Sequence, residues 1–427
     1  MINTIDDGEM RMLKILVVYG TRPEAVKMAP LIDALRQSRC CRPVIAVTGQ
    51  HREMLDQVNH LFGIEPDFDL NIITQSQTLE TITSRVLAGV SAVIERESPD
   101  ALVVQGDTTT CFAAGLAAFY HKVPLVHLEA GLRTGNRDNP FPEELNRRLT
   151  SQLAMLHLAP TSTAKANLLR DGIAESDIVV TGNTVIDALL HVSGRNSVSD
   201  NPELGGVFDR PTVLITAHRR ESWGEPMART ARAIARLARD FPHMNFLLPA
   251  HLNPAVRDVL LPPLAGLENV RITRPLDYRD FVSAMRDCML VLTDSGGVQE
   301  EAPTFGKPVL VLRETTERPE AVTAGTARLI GTDEDAVVNA VTELLRDGDA
   351  YRRMARAVNP YGDGLAARRS TQAIEHFFGL ADRPDEFTGL APAAPLPIVL
   401  DGRSVPQTAH PGAFVRNGSA LDTAHVG

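Results

Sequence analysis

The sequence predicts an α/β protein made of two doubly wound, Rossmann-like domains facing each other across a cleft. Three observations predict it. From Leu13 onward, short apolar runs alternate with segments of helical period, the pattern of a parallel sheet covered by helices on both faces. The pattern starts afresh at Pro211, and 427 residues are too many for one ordinary core. The residues able to do chemistry fall just after the apolar runs, where open α/β sheets bind ligands.

Lys14–Tyr19 reads as the first strand, broken by Gly20-Thr21-Arg22-Pro23 before a helix that ends near Arg36. Val44–Thr48 is the next strand, followed by a helix from Glu53 to Leu61; Thr81–Glu97 has helical period. Ala101–Gln105 is a strand, Thr110–His121 a small-residue helix, and Pro124–Leu128, Met155–Ala159 and Ile178–Thr181 are short strands. The Ser-, Asn- and Gly-rich segment 193–210 reads as a surface loop. In the second set, Thr212–Thr216, Asn245–Pro249, Val270–Thr273, Cys288–Leu292 and Val309–Leu312 are strands, with a helix over Met227–Arg239. Residues 364–379 are helical again. We therefore expect an extension over 1–12, a first domain over 13–182 completed by 364–380, and a second domain over 183–363. Beyond it, 381–427 should be a tail that is disordered or only locally docked.

Bulk properties narrow the function. A formal charge of −10 argues against a general nucleic-acid binder, which needs a basic face. No stretch approaches the roughly 18 apolar residues of a membrane span. The opening residues lack a signal-peptide pattern, and Cys40, Cys41, Cys111 and Cys288 have neither metal nor disulfide spacing, so a cytoplasmic setting is expected. There is no P-loop, zinc motif, triad order or Gly-rich dinucleotide fingerprint, so no metal and no bound nicotinamide is expected.

The most informative turn is Thr293-Asp294-Ser295-Gly296-Gly297. Two glycines where a strand gives way to a helix let the backbone approach a ligand and aim unpaired N–H groups at it, which suits a diphosphate. Glu300 and Glu301, one turn on, can accept from ribose hydroxyls; Arg318 and Glu320 follow the next strand. In the first half, Arg22 and Lys27 either neutralise a diphosphate or line a solvated helix face. Asp107 either faces the cleft or caps the following helix. Glu129 ends a strand and should point into the cleft, while Glu143 and Glu144 open a helix whose dipole one of them can offset. Strand-end carboxylates without metal spacing suit proton transfer at carbon. His218, Arg219, Arg220 and Glu221 end a strand of the second half and point to an anionic ligand; His251, also at a strand end, either packs or binds.

Taken together, GTRPEAVKMAP, QHREMLDQV, GDTTT, HLEAGLRTG, FPEELNR, TGNTVIDAL, AHRRES, HLNP, TDSGGVQEEAP, GKPVLVLRETTERPEAV and NPYGDG closely resemble the bacterial non-hydrolysing UDP-N-acetylglucosamine 2-epimerases, in order from Leu13 to Leu380. The resemblance implies the two-domain GT-B fold. It also implies interconversion of UDP-GlcNAc and UDP-ManNAc without a cofactor, by elimination of UDP to a 2-acetamidoglucal and re-addition, with the product feeding cell-envelope polysaccharide. By motif, Asp107, Glu129, Glu143 and His218 would be the acid/base group. UDP would be bound by Arg22, Lys27, Leu276, Phe281, Ser295, Gly296, Gly297, Glu301 and Arg318. A second UDP-GlcNAc, as activator, would sit near Gln50, Glu53, Arg220 and His251, and a homodimer is implied. Two departures stand out: Gln105 replaces a family histidine, and Phe141 a Trp or Tyr.

Overall fold

The structure, a computed structural model, describes residues 11–49, 52–72, 78–194, 201–219, 222–389 and the small antiparallel pair Val399–Leu400 with Arg403–Ser404. Thirteen further strands form two parallel sheets. The first contains β1 (Leu13–Tyr19), β2 (Cys41–Val47), β3 (Phe68–Asp69), β4 (Ala101–Gln105), β5 (Leu125–Leu128), β6 (Leu156–Ala159) and β7 (Ile178–Val180), in the order β3-β2-β1-β4-β5-β6-β7. The second contains β8 (Thr212–Thr216), β9 (Asn245–Pro249), β10 (Val270–Thr273), β11 (Leu290–Thr293), β12 (Val309–Val311) and β13 (Ala327–Leu329), in the order β10-β9-β8-β11-β12-β13. These are the two doubly wound domains expected.

The central strands follow from their composition. Ile15, Leu16, Val17, Val18 and Tyr19 of β1 are all buried, because helices cover both faces and each side chain has an apolar destination. Removing one such side chain to Ala would cost about 2–5 kcal/mol. β3 and β13 escaped the sequence reading: each has two or three residues and pairs on one side only. The run from Cys288 was read one turn too early. Cys288 closes the helix Tyr278–Asp287, its N–H donating to the Ala284 carbonyl at 2.9 Å, and β11 starts at Leu290.

Of the segment expected as a surface loop, 195–200 lies outside the described residues. The remainder is packed rather than loose: two 3-10 turns, Pro202–Leu204 and Val207–Asp209, bury Leu204 and Val207. The helix Thr184–Ser193 touches both halves, packing on the helix Arg22–Gln37 and on the helix Tyr278–Asp287. The helix Ala366–Phe377 returns to the first sheet's side, against Arg22–Gln37 and β6. Asp187 accepts from the N–H groups of Ala366 and Ala367 at 3.2 and 2.9 Å, so its carboxylate caps the returning helix. The beginning of the expected tail is docked: Arg383 donates to the carbonyls of Ser176 and Ile178, Glu386 pairs with Lys165, and the Phe387 N–H donates to the Val180 carbonyl.

Strand order places the site. In the first sheet the order reverses between β1 and β4, and in the second between β8 and β11. Loops leaving the carboxyl ends of those strands flank the crevice where such sheets take ligands. They are the loops that carry Arg22, Asp107, His218 and Ser295–Gly297.

Candidate active site

Glu129 leaves β5 with a left-handed backbone (φ 62°), a conformation a non-glycine residue adopts at a cost of about 1–3 kcal/mol. Its buried carboxylate accepts from Lys27, from the Gln105 amide and, at 2.9 Å, from the Asn183 amide. Burial alone would raise its pKa; the ammonium of Lys27 outweighs that and holds the carboxyl below its usual range. Gln105 is therefore a partner of the acid. Lys27 was expected at the diphosphate; here its charge is engaged by Glu129.

Asp107 does not cap the helix that follows it. Thr108 does, accepting from the Cys111 N–H at 3.0 Å. The Asp107 carboxylate is left to face Arg147, 2.6 Å away. Arg147 is held in turn by Glu144, which is buried and also accepts from the Thr134 N–H at 3.0 Å. Of the two glutamates opening the helix Glu143–Leu153, Glu144 is thus structural. Glu143 is half-buried and its carboxylate makes no hydrogen bond or ion pair among the described residues, which leaves it available.

In the second half, the Nδ1 of His218 lies 3.1 Å from the carboxylate of buried Asp294, which also accepts from the backbone N–H groups of His218 and Arg219 at 2.7 and 2.8 Å. Burial would raise the Asp294 pKa, but these donors hold it below its usual range. A buried acid beside an imidazole whose other nitrogen has no partner among the described residues is the arrangement of an oriented acid/base or anion-binding histidine. His251 stacks on it, ring centroids 6.1 Å apart. His251 therefore adjoins the acid/base candidate. Gln50 and Arg220 lie outside the described residues, as does the side chain of Glu53.

Gly296 opens the helix Gly296–Glu301 behind Ser295, whose side chain makes no capping bond. A methyl group at Gly296 would stand 3.0 Å from the Arg318 guanidinium, so the bare glycine leaves Arg318 room to lie against the turn. Arg318 donates to Glu300 at 2.8 Å. Glu300, expected with Glu301 at the ribose, is thus spent on Arg318 and, at 3.1 Å, on the Asn183 amide. Glu301 differs: it is buried with Oε2 lacking a partner among the described residues, and burial followed by the Glu300 charge pushes its pKa up to about 8. Arg22 faces Glu301, Asp277 and Tyr278, with burial pulling its pKa down. Leu276 and Tyr278 are buried in the same wall, with the half-buried Phe281 one turn on.

The structure thus brings together Arg22, Lys27, Glu129, Glu301 and Arg318. Asn183 and Glu300 join them. Asn183, and Asp294 beside His218, are the residues that the sequence reading does not assign to the site, although both lie in motifs it names, TGN and TDSGG. No cluster of metal-binding side chains occurs among the described residues. No described helix is long and apolar enough to cross a membrane.

A family model described as UDP-N-acetylglucosamine 2-epimerase matches residues 33–375. The chain is 50% identical over 371 residues to the UDP-N-acetylglucosamine 2-epimerase of Escherichia coli K12, covering 85% of this chain and 99% of that one. The crystal structure of UDP-GlcNAc 2-epimerase from Neisseria meningitidis bound to UDP-GlcNAc superposes with a TM-score of 0.80 at 45% identity, covering 85% of this chain and 100% of that one. The Methanocaldococcus jannaschii UDP-GlcNAc 2-epimerase in complex with UDP-GlcNAc and UDP gives 0.72 at 31% identity, over 85% of this chain and 100% of that one.

Proposed function

The chain belongs to the UDP-N-acetylglucosamine 2-epimerase family, and from that premise we propose that it inverts C2 of UDP-GlcNAc to give UDP-ManNAc, without hydrolysis and without a cofactor. The observation that supports the reading is that Glu129, leaving the first sheet, meets Glu300 and Arg318 of the second half through the Asn183 amide, with Arg318 lying against the Gly296 turn.

A C2 proton beside an amide-bearing carbon is not acidic, so its removal must be coupled to loss of the diphosphate. In the proposed reaction a base takes the C2 proton, the C1–O bond breaks with its electron pair going to UDP, and a C1=C2 bond forms. Re-addition reverses these changes with the proton delivered to the opposite face. Two groups are needed, one on each face, and Asp107, Glu129, Glu143 and His218 are the candidates. Arg22, Arg318 and the first-turn amides would stabilise the departing diphosphate, and Glu301 would hold the ribose. Leu276 and Phe281 would complete the UDP wall. Domain closure would keep water from the glucal.

Incubation with UDP-GlcNAc alone in deuterated water, followed by proton NMR, tests this. The product should carry deuterium at C2, and an oxygen label in the C1–O bridge should scramble into the diphosphate. Retention of the C2 hydrogen would favour hydride transfer; release of free ManNAc at the rate of turnover would identify a hydrolysing enzyme.

Two finer proposals accompany it. Gln50, Glu53, Arg220 and His251 would bind a second UDP-GlcNAc as activator, giving sigmoidal rates and a slow reverse reaction from UDP-ManNAc alone. Hyperbolic kinetics in both directions would remove the activator. A homodimer is supported by an apolar face on the helix Glu143–Leu153, where Leu145 and Leu149 are exposed one turn apart, with Phe119, Tyr120 and Met155 exposed on adjoining elements.

A further inference from the structure

Asn183 stands where the two halves meet, and its side chain does more than end a helix. It caps the helix Thr184–Ser193, its Oδ1 accepting from the Val185 N–H at 3.1 Å. Its own N–H donates to the Tyr361 carbonyl at 2.6 Å. The amide nitrogen then donates in two directions, to Glu129 at 2.9 Å and to Glu300 at 3.1 Å. An amide has two hydrogens, so each carboxylate takes one and none is spare. The residue is 3% exposed, so water does not compete for these bonds.

The two carboxylates belong to different halves and different tasks. Glu129 leaves β5 and is paired with Lys27; Glu300 lies on the helix after β11 and is paired with Arg318. The series Lys27, Glu129, Asn183, Glu300, Arg318 alternates cation, anion, neutral donor, anion, cation through one buried strip. Without a donor between them, two buried carboxylates repel, and one takes up a proton or moves away. Asn183 removes that conflict without adding charge.

We propose that Asn183 is a positioning residue that fixes Glu129 against the Glu300–Arg318 pair, bringing the proton-transfer carboxylate and the cation beside the diphosphate turn into register together. This rests on the epimerisation reading above. In that reaction proton removal and loss of diphosphate must coincide, so a rigid link between the groups serving each step contributes through orientation.

The competing role is helix capping alone, and Asn183→Asp separates the two. Aspartate caps as well as asparagine, but it has no amide donor and sets a third carboxylate between two others. We expect the variant to fold, with UDP affinity by calorimetry within about threefold of wild type, while kcat at about pH 8 falls by about 10²-fold. As the pH is lowered, the ratio of variant to wild-type kcat should rise, because a protonated carboxyl restores one of the two donors. Asn183→Ala, lacking cap and donor, should also lose kcat but recover less on acidification, because it has no carboxyl of its own to become a donor. Near wild-type kcat for Asn183→Asp at about pH 8, or a ratio that follows pH no more steeply than that of Asn183→Ala, would overturn the positioning role alone. Absence of wild-type epimerisation in the same series would overturn the reaction, and the positioning role with it.

Discussion

Glu129 and Glu301 are two buried glutamates on equivalent sides of two similar sheets, yet their surroundings push them in opposite directions. Around Glu129, Lys27 and the amides of Gln105 and Asn183 offset the cost of burial and keep the carboxylate charged. Around Glu301, burial and then the charge of Glu300 act most strongly, one oxygen has no partner among the described residues, and the pKa rises to about 8. The first group is finished by the protein itself. The second is left incomplete, which is what a group waiting for ligand hydroxyls should be. Under the proposed reaction the comparison extends to whole halves: the first would supply prearranged acids, the second an unfinished nucleotide site.

The largest effect is expected where that division is tested on the acid side. Asp107→Asn keeps shape but removes a base, so kcat should fall by about 10²-fold or more while UDP still binds. Steady-state rates with calorimetric UDP titration check both parts. Parallel loss of UDP affinity would mean that the two halves do not divide the work. On the nucleotide side, Glu301→Ala should weaken UDP binding by roughly 1–3 kcal/mol, the scale of a charge-assisted hydrogen bond. Unchanged affinity would move the ribose elsewhere.

A third variant tests whether the second half also takes part in proton transfer. Asp294→Asn retains the acceptor for the backbone N–H groups but weakens the hold on the His218 ring. A drop in kcat of about tenfold at constant UDP affinity is expected. If kcat is unaltered, His218 belongs to anion binding and the division between halves is complete.

What could be read from sequence, and what could not, follows the range of the interactions involved. β1, β4, β8 and β9 are buried on both faces and announce themselves as apolar runs, whereas β3 and β13 are too short and one-sided to do so. Strand-end acids and the glycine turn were legible because their meaning is local. Asn183 was not, since its partners lie 54 and 117 residues away and its letter reads equally well as a helix cap. Glu300 and Glu301 are adjacent and chemically identical. Only packing against Arg318 assigns one to an ion pair and leaves the other bare.

That bare carboxyl makes the smallest prediction. With a pKa near 8, Glu301 is largely protonated in the empty site at neutral pH, while hydroxyl donors of a ribose prefer the ionised form. Binding must then release a proton, so UDP affinity should rise with pH and level off above about 8. Ionisation grows from roughly a tenth to three-quarters between pH 7 and 8.5, so the gain should be about five- to tenfold. The sign for stability is the reverse. A folded-state pKa raised from the ordinary carboxyl value of 4.5 favours the protonated folded form, so this group's contribution is complete below about 4.5 and is lost as pH rises through about 8. The empty protein should therefore lose Tm between pH 7 and 8.5 relative to Glu301→Gln, while UDP binding tightens over the same interval. Should Glu301→Gln show the same pH dependence of UDP affinity as wild type, the titrating group lies elsewhere and the contrast with Glu129 loses its functional meaning.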